Sequence, residues 1–238
     1  MLVLGLNLPM LAEDKKTLAH FIDTVGAALT SGFRGKEQEY SFTDDSSIPL
    51  HDSLEQITAG INNCKACALC KNRKNTVPGE GASQPLVMVI GEGPGGDEDV
   101  SGRPFVGRAG QLLDKMLISI GLSRESNCFI ANLVKCRPPG NRDPQPEEIS
   151  ACFPFLERQI SILMPKFILF AGRISAQTLL KTNDSIGMLR GKIKPLSIAG
   201  LSVPSLATYH PSALLRNEDL KRPAWEDLKL LRSALSIT

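Results

Sequence analysis

A strand followed by a glycine-rich acidic loop and a helix, over residues 85–111, constrains the fold more than any other stretch of the sequence. The apolar run from Leu86 to Ile90 is typical of a buried strand. It ends in the loop GEGPGGDED (residues 91–99), and a helical pattern covers residues 109–120. In open α/β sheets, ligands bind outside the carboxyl ends of the strands. This loop is therefore predicted to line a binding site.

The loop does not have the signature of a phosphate site. It lacks a Gly-Lys-Ser/Thr ending, and the carboxylates of residues 97–99 would repel a bare phosphate. Its glycines and proline also fit an ordinary strand-to-helix turn. A carboxylate-rich site that acts on something other than a bare phosphate fits the loop better than a phosphate site.

Strands alternate with helices from residue 53 onward, which predicts βαβ units and a mainly parallel sheet covered on both faces. The predicted strands are 86–90, 128–134, 167–171 and 203–209, and the predicted helices are 53–63, 107–120, 145–164, 173–181 and 223–236. Upstream, an apolar helical stripe over 14–30 precedes a polar stretch without periodicity over 31–52. We expect an N-terminal helix and flexible linker over 1–50, and one α/β domain over 51–238.

Composition limits the classes of partner. The net charge of +2 carries no global basic signal, so contact with nucleic acid has to come from local clusters such as residues 135–142 and 190–194. The N-terminal MLVLGLNLPML has no basic region typical of a signal peptide, and no apolar run is long enough to cross a bilayer. We therefore expect a cytoplasmic protein without membrane contact.

Six cysteines in a cytoplasmic protein are more typical of metal binding or free thiols than of disulfides. Three of them form C-x2-C-x2-C over residues 64–70, while Cys136 follows a strand and Cys152 lies in a helix. Both could converge on the C-x2-C clip. The spacing does not separate zinc from an iron–sulfur cluster, and it leaves Cys70 open as a third ligand or a bystander. Cys128, inside a strand, is interpreted as a small buried apolar residue.

Two polar side chains stand near predicted strand ends. Asn132 carries a carboxamide, which has a donor and an acceptor and can read the Watson–Crick edge of a base. His210 stands before a proline in HPSALLR. Each residue alone is more often structural than functional.

Together, the segments GEGPGGDED, SGRPFVG, NLVKCRPPGNR and HPSALLR resemble the iron–sulfur (type-4) branch of the uracil-DNA glycosylase superfamily. The resemblance runs from about residue 63 to 235. It implies a three-layer α/β/α sandwich around a four-stranded, mainly parallel sheet. It also implies an enzyme that flips uracil out of DNA, hydrolyses its N-glycosidic bond, and releases free uracil to leave an abasic site.

The resemblance further implies a [4Fe–4S] cluster with a structural role, held by Cys64, Cys67, Cys136 and Cys152, with Cys70 as a bystander. Such an enzyme needs DNA containing uracil as its partner and is expected to be a monomer. The first 50 residues are not covered, and they are a candidate contact for a replication or repair protein.

Roles around the flipped uracil are also implied by the resemblance. Phe105 should stack on the base, Asn132 should pair with its O4 and N3 edge, and His210 should lie near O2. Glu92 belongs to the loop that should lie against the base and the sugar. With Asn132 and His210 it makes up the expected catalytic residues. Glu98 is expected to replace the residue that blocks the thymine methyl group.

Further substrate contacts come from two motifs. Gly93 stands where other branches carry an aspartate that activates water, and Gly95 stands where others carry a blocking tyrosine. Leu214 or Leu215 should wedge into the gap left by the flipped base, with Arg216 on phosphate.

Three alternatives stay open at this point. One is a sister glycosylase with another deaminated base, such as hypoxanthine, as its substrate. A second is a non-catalytic iron–sulfur module that binds DNA. The third is a small redox protein, for which the potential of the cluster would matter.

Overall fold

One six-stranded sheet forms the centre of residues 52–236, the part of the chain that the computed structural model describes. The predicted N-terminal helix and linker over 1–50 lie outside these residues. The strand order is β1-β3-β2-β4-β6-β5. The strands are β1 (Glu80–Gly81), β2 (Val87–Gly91), β3 (Cys128–Asn132), β4 (Phe167–Ala171), β5 (Ile193–Ile198) and β6 (Leu201–Thr208).

The four predicted strands are the parallel centre of the sheet. β2 pairs with β3 and β4, and β4 pairs with β6, all in parallel. The expectation of four strands was two short, because β1 and β5 add antiparallel edges. A strand of two residues leaves no periodicity to detect, and Pro195 within β5 argues against a central strand but is tolerated at a sheet edge.

Helices cover both faces of the sheet, as the βαβ pattern predicted. Within residues 52–236 the α-helices are α1 (Leu54–Asn63), α2 (Gly96–Ser101), α3 (Arg108–Ile118), α4 (Pro146–Leu163), α5 (Arg173–Leu180), α6 (Ile186–Leu189), α7 (Pro211–Arg216) and α8 (Lys221–Ala234). The short helices α2, α6 and α7 were not predicted, since each is too short to show a period.

Alternate residues of each strand face opposite helical layers. In β2, Met88 and Ile90 belong to the core under α4, α5 and α6, whereas Val87 and Val89 belong to the core under α3 and α8. Every residue of β2, β3 and β4 is buried. The expected three-layer sandwich is confirmed.

The parallel register brings four strand ends to one edge of the sheet. Gly91 pairs with Asn132 at the end of β2 and β3, and Ala171 pairs with Thr208 at the end of β4 and β6. The segments that follow these strands therefore meet above this edge. Among the described residues, no helix has both the length and the apolar character needed to cross a membrane.

Candidate active site

A cleft of about 630 Å³ lies at the carboxyl ends of the four parallel strands. Each strand contributes to its lining: Glu92 follows β2, Asn132 ends β3, Arg173 follows β4 and His210 follows β6. The volume falls within the range of about 300–1,000 Å³ that small-molecule sites occupy. The cleft is thus large enough for one nucleobase with its sugar.

The carboxamide of Asn132 lies at the floor of this cleft. The residue is 1% exposed, and its Oδ1 atom has no hydrogen-bond partner among residues 52–236. A side chain at position 91 would collide with this oxygen and would approach Cζ of Phe105 to 2.7 Å. The pairing of residue 91 with Asn132 at the ends of β2 and β3 therefore needs glycine at position 91. Leaving a buried acceptor unpaired costs about 1–3 kcal/mol. An unpaired acceptor in a cleft points to a ligand that donates a hydrogen bond to it.

Phe105 forms a wall of the cleft in a strained backbone conformation. It is 6% exposed and has a φ of 50°, in the left-handed region that bulky residues rarely adopt. Such conformations cost on the order of 1–3 kcal/mol and persist only where the surroundings hold them. The ring lies 5.6 Å from that of His210, centroid to centroid.

The ring of His210 is held in one tautomer by the start of α7. Its Nδ1 accepts the backbone N–H of Ser212 at 3.1 Å and lies 2.7 Å from the Ser212 hydroxyl. Burial, together with the nearby charge of Arg216, lowers the pKa of His210 to about 4. The ring is therefore neutral near pH 7, with its proton on Nε2, and this N–H is a hydrogen-bond donor.

Two carboxylates of the acidic loop, those of Glu98 and Asp99, accept hydrogen bonds from backbone N–H groups. The carboxylate of Glu98 accepts the backbone N–H groups of Gly95, Val106 and Gly107 at 2.9–3.1 Å. Asp99 is buried and accepts the backbone N–H of Lys74. Asp97 and Glu98 line the cleft together with Gly93 and Gly95, whereas Asp99 does not, so the acidic run contributes two of its three carboxylates to the site.

Glu92 has the most perturbed carboxyl group of the cleft. Burial and, to a lesser extent, the neighbouring Asp143 together raise its pKa to about 7, although the positive charge of Arg173 opposes the shift. Arg173 donates to Asp143 at 2.7 Å. A carboxyl with a pKa near neutrality can exchange a proton during a reaction near pH 7.

Helix α7 closes one side of the cleft with Ala213 and Arg216. Leu214 is 2% exposed, whereas Leu215 is 41% exposed. Only Leu215 presents an apolar side chain to the outside, so it is the better candidate of the two for a wedge.

Five cysteines surround a second cavity, between α1 and α4. They are Cys64, Cys67, Cys70, Cys136 and Cys152. Cys128 lies elsewhere, in the core under α3 and α8, as its interpretation as a buried apolar residue required.

Three sulfur atoms at this cavity already have N–H donors. Arg73 donates to Sγ of Cys136 at 3.1 Å, the backbone of Lys135 donates to Cys152 at 3.3 Å, and the backbone of Ala66 donates to Cys64 at 3.5 Å. Such hydrogen bonds to sulfur are typical of iron–sulfur sites. Among the described residues, no three ligand side chains are grouped closely enough to hold a single metal ion.

Lys135 connects the two sites from the inside. It is 1% exposed, and its Nζ donates to the backbone oxygen of Asn132 at 3.0 Å and to Oε1 of Gln159 at 2.7 Å. Its position in a basic loop suggested a surface role, which is wrong for this residue. Arg142 and Arg190 are likewise paired, with Glu148 and Asp227.

Comparison with known proteins agrees with this geometry. Residues 78–229 match the Uracil DNA glycosylase superfamily. The chain belongs to this superfamily. The type-4 uracil-DNA glycosylase of Saccharolobus solfataricus is 47% identical over 190 residues, which cover 78% of this chain and 88% of that protein. That of Pyrobaculum aerophilum is 46% identical over 181 residues, covering 74% and 92%. That of Thermotoga maritima is 41% identical over 183 residues, covering 76% and 93%.

Membership of the Uracil DNA glycosylase superfamily confirms the resemblance seen in the sequence motifs. The structure brings together the predicted residues of the cleft, which are Glu92, Gly93, Gly95, Glu98, Phe105, Asn132, His210 and Arg216. Leu214 and Leu215 do not line it. The four predicted cluster ligands share the second cavity.

Sequence reasoning missed several residues around the superfamily cleft. Arg173 lies two residues after the end of β4, and this position near a strand end could have marked it in the sequence. Asp143 and Arg124 left no signal, because each lies in an irregular segment and reaches its partners only through the fold.

Proposed function

We propose that this chain hydrolyses the N-glycosidic bond of uracil in DNA, releasing free uracil and leaving an abasic site. The observation that carries the proposal is the unpaired Oδ1 of Asn132 at the floor of the cleft. The type-4 uracil-DNA glycosylases that are 41–47% identical to this chain support it. The substrate would be a nucleotide flipped out of the helix, because the floor of a cleft is beyond the reach of a stacked base.

Asn132 distinguishes uracil from cytosine by its hydrogen-bonding pattern. Uracil presents an N3–H donor to the free Oδ1, and its O4 accepts from the amide nitrogen. Cytosine has an acceptor at N3 and a donor at position 4, so both contacts would be lost and buried polar groups would stay unpaired. Sites of this kind discriminate strongly for that reason.

His210 stabilises the leaving base. Breaking the bond between C1′ and N1 places negative charge on uracil, and the neutral ring can direct its Nε2–H to O2 of the base. Because the donor is already oriented by Ser212, little reorganisation is needed as the charge develops. Phe105 stacks on the base, so that O2 lies on the side of His210.

Glu92 acts at the sugar. Its ionised carboxylate stabilises positive charge on the sugar as the base departs. Water then adds its oxygen to C1′, Glu92 accepts the proton that the water loses, and the departing uracil anion takes up a proton from solvent. Because residue 93 is glycine, no carboxylate at the next position competes with Glu92 for this proton.

Helix α7 supports the flipped state. Leu215 fills the gap in the base stack, and Arg216, at the end of the same helix, pairs with a phosphate. The energy for unstacking is a few kcal/mol and is smallest at a mismatch, which favours uracil opposite guanine.

We further propose a [4Fe–4S] cluster held by Cys64, Cys67, Cys136 and Cys152. The shared cavity and the N–H donors at three sulfurs support it. When bound, the cluster would supply cross-linking of α1, the loop after β3 and α4, with no redox step in the reaction. Cys70 lines the same cavity and remains a bystander in this proposal.

Release of free uracil from a labelled oligonucleotide tests the proposed reaction. We expect release from strands with U opposite G, none from the matched strand with C, and an abasic site that alkali cleaves. Release of hypoxanthine but not uracil would instead favour the sister branch. Binding without release would favour the non-catalytic module.

Visible absorbance together with iron and sulfide content tests the cluster. Cytoplasmic location, the monomeric state and a partner for residues 1–50 remain predictions.

A further inference from the structure

Phe105 needs an external constraint to keep its conformation. Its φ of 50° is unfavourable for an aromatic residue, and no glycine occupies the position to relieve it. The residue is nevertheless where the cleft needs a ring, beside His210 and over Gly91. Something in the surrounding structure therefore has to hold the backbone in the left-handed region.

Arg124 provides hydrogen bonds at this backbone. Its Nη1 donates to the carbonyl of Pro104 at 2.8 Å, and its Nη2 donates to the carbonyl of Phe105 at 2.9 Å. The side chain is 7% exposed, and it lies in the segment between α3 and β3, 19 residues after Phe105 in the sequence. Two consecutive carbonyls are thus held by one guanidinium group.

The remaining donors of Arg124 anchor it to two other elements. Nη1 donates to Glu80 at 2.8 Å, and Nε and Nη2 donate to Asp114 at 3.0 and 2.8 Å. A guanidinium group has five N–H donors in a rigid fork, and all five are used here. The position of the guanidinium is therefore set by β1 and α3, and it transmits that position to Phe105.

We propose that Arg124 is a positioning residue that keeps Phe105 in its left-handed conformation and thereby sets the plane on which the flipped base stacks. The inference rests on the proposed stacking role of Phe105. Arg124 does not touch the cleft and acts only through this backbone.

Two other contacts fix the backbone around Phe105. On the opposite side, Glu98 accepts the N–H groups of Val106 and Gly107, the two residues that follow the ring. The carbonyl of Phe105 also packs against Gly110, where any side chain would collide with it. The peptide units on both sides of the residue are held, so loosening one side lets the ring rotate out of its plane.

Lysine cannot replace this arginine. An ammonium group is a single point of charge and cannot span two carbonyls and two carboxylates in one plane. Arg124→Lys keeps the charge and removes the fork. Arg103→Lys is the matched control, because the Arg103 side chain also binds Glu80 but is 62% exposed and donates no hydrogen bond to either carbonyl.

The test compares single-turnover uracil release for both variants. Since a misplacement of about 1 Å can lower a rate by 100-fold, we expect Arg124→Lys to be about 10- to 100-fold slower and Arg103→Lys to stay within about twofold of the parent. Affinity for abasic DNA, which has no base to stack, should change less than about twofold, as expected of a contact that acts only on the stacked base. In a Phe105→Ala background, Arg124→Lys should cause no further loss of rate.

An equal loss of rate with and without the Phe105 ring would overturn the inference, because a general destabilisation acts in both backgrounds. A parent rate retained by Arg124→Lys would overturn it as well. If Arg124→Lys does not fold, Asp114→Asn serves instead, because it removes one acceptor that anchors the guanidinium group. It should also slow uracil release, and this loss should disappear in the Phe105→Ala background.

A second readout separates this inference from the proposed function. Hydrogen exchange at the amides of Val106 and Gly107 should be faster in Arg124→Lys and unchanged in Arg103→Lys. This measurement needs no substrate. If the parent enzyme released no uracil, the proposed function would fail while the exchange data still tested the hold on Phe105. Unchanged exchange in Arg124→Lys would overturn the inference alone.

Discussion

The rings of Phe105 and His210 lie with their centroids 5.6 Å apart and their planes inclined by 35°. They come from two segments, after β2 and after β6, that meet only because the strands are parallel and in register. A base resting on one ring is within reach of the other. Stacking and charge stabilisation at the base are therefore linked by the geometry of the sheet.

Asn132→Ala should abolish discrimination between uracil and cytosine. Loss of the carboxamide removes both the acceptor for N3–H and the donor to O4. We expect the rate of uracil release to fall by roughly 30-fold or more, since two buried polar contacts are lost and each is worth about 1–3 kcal/mol. Single-turnover assays on matched U and C strands measure the effect. A variant as active and selective as the parent would show that Asn132 has no role in base reading.

His210→Ala should slow cleavage much more than it weakens DNA binding. Removal of one preorganised donor to a developing anion typically costs about 100- to 1,000-fold in rate. Ser212→Ala is the control, because it removes a hydroxyl at Nδ1 but leaves the backbone N–H that sets the tautomer. Its effect should be far smaller. Equal losses of rate and affinity in His210→Ala would indicate a binding role only.

The pH dependence of folding should also report on His210. Its pKa in the folded protein is about 4, below the ordinary value of 6.5. The unfolded chain therefore binds the proton first as pH falls, and the contribution of this residue to stability is full above about pH 6.5 and is lost between pH 6.5 and 4. Urea unfolding of His210→Asn should show a smaller loss of stability over this interval than the parent. The same slope in both proteins would contradict the lowered pKa.

The acidic limb of the rate profile should move in opposite directions in two variants around Glu92. If ionised Glu92 is needed, activity rises as pH passes its pKa of about 7. Asp143→Asn removes the neighbouring carboxylate and should shift this limb to lower pH. Arg173→Gln removes the opposing positive charge and should shift it to higher pH. Profiles of kcat for the three proteins measure the shifts, and an unmoved limb in both variants would assign it to another group.

Loss of the cluster should loosen the loop after β3 more than the sheet. Chelation or oxidation would remove the connection between Cys136 and Cys152, so we expect faster hydrogen exchange over residues 136–152. Residues 167–171 of β4 are the internal control, because they are fully buried and distant from the cavity lining. DNA binding should weaken in parallel. An apoprotein that binds and cleaves as well as the parent would refute a structural role.

Much of the fold was accessible from the sequence because buried parallel strands are apolar and regularly spaced. The strand at Phe167–Ala171 was predicted with its bounds, and the ends of the other three differ by one or two residues. The edge strands escaped because short or proline-containing edges carry no such pattern. The acidic run after Gly96 was interpreted as ligand-facing, and Asp97 and Glu98 do line the cleft, but Glu98 and Asp99 also accept backbone N–H groups from Val106 and Lys74.

The candidate site was accessible to the extent that its residues follow strand ends. Glu92, Asn132 and His210 do so, and the resemblance supplied their roles. Arg124 and Lys135 act through buried contacts with elements distant in sequence. A positive residue in a turn is ordinarily solvated, so no local pattern distinguishes these two from surface charges.

The ammonium group of Lys135 holds the peptide oxygen of Asn132, while the amide of the same lysine holds the sulfur of Cys152. Under the proposed assignments, one residue thus touches both the reader of the base and a holder of iron. Oxidative damage at the proposed cluster would then be transmitted through this one residue, from its backbone amide to its ammonium group, and would change which bases the cleft accepts.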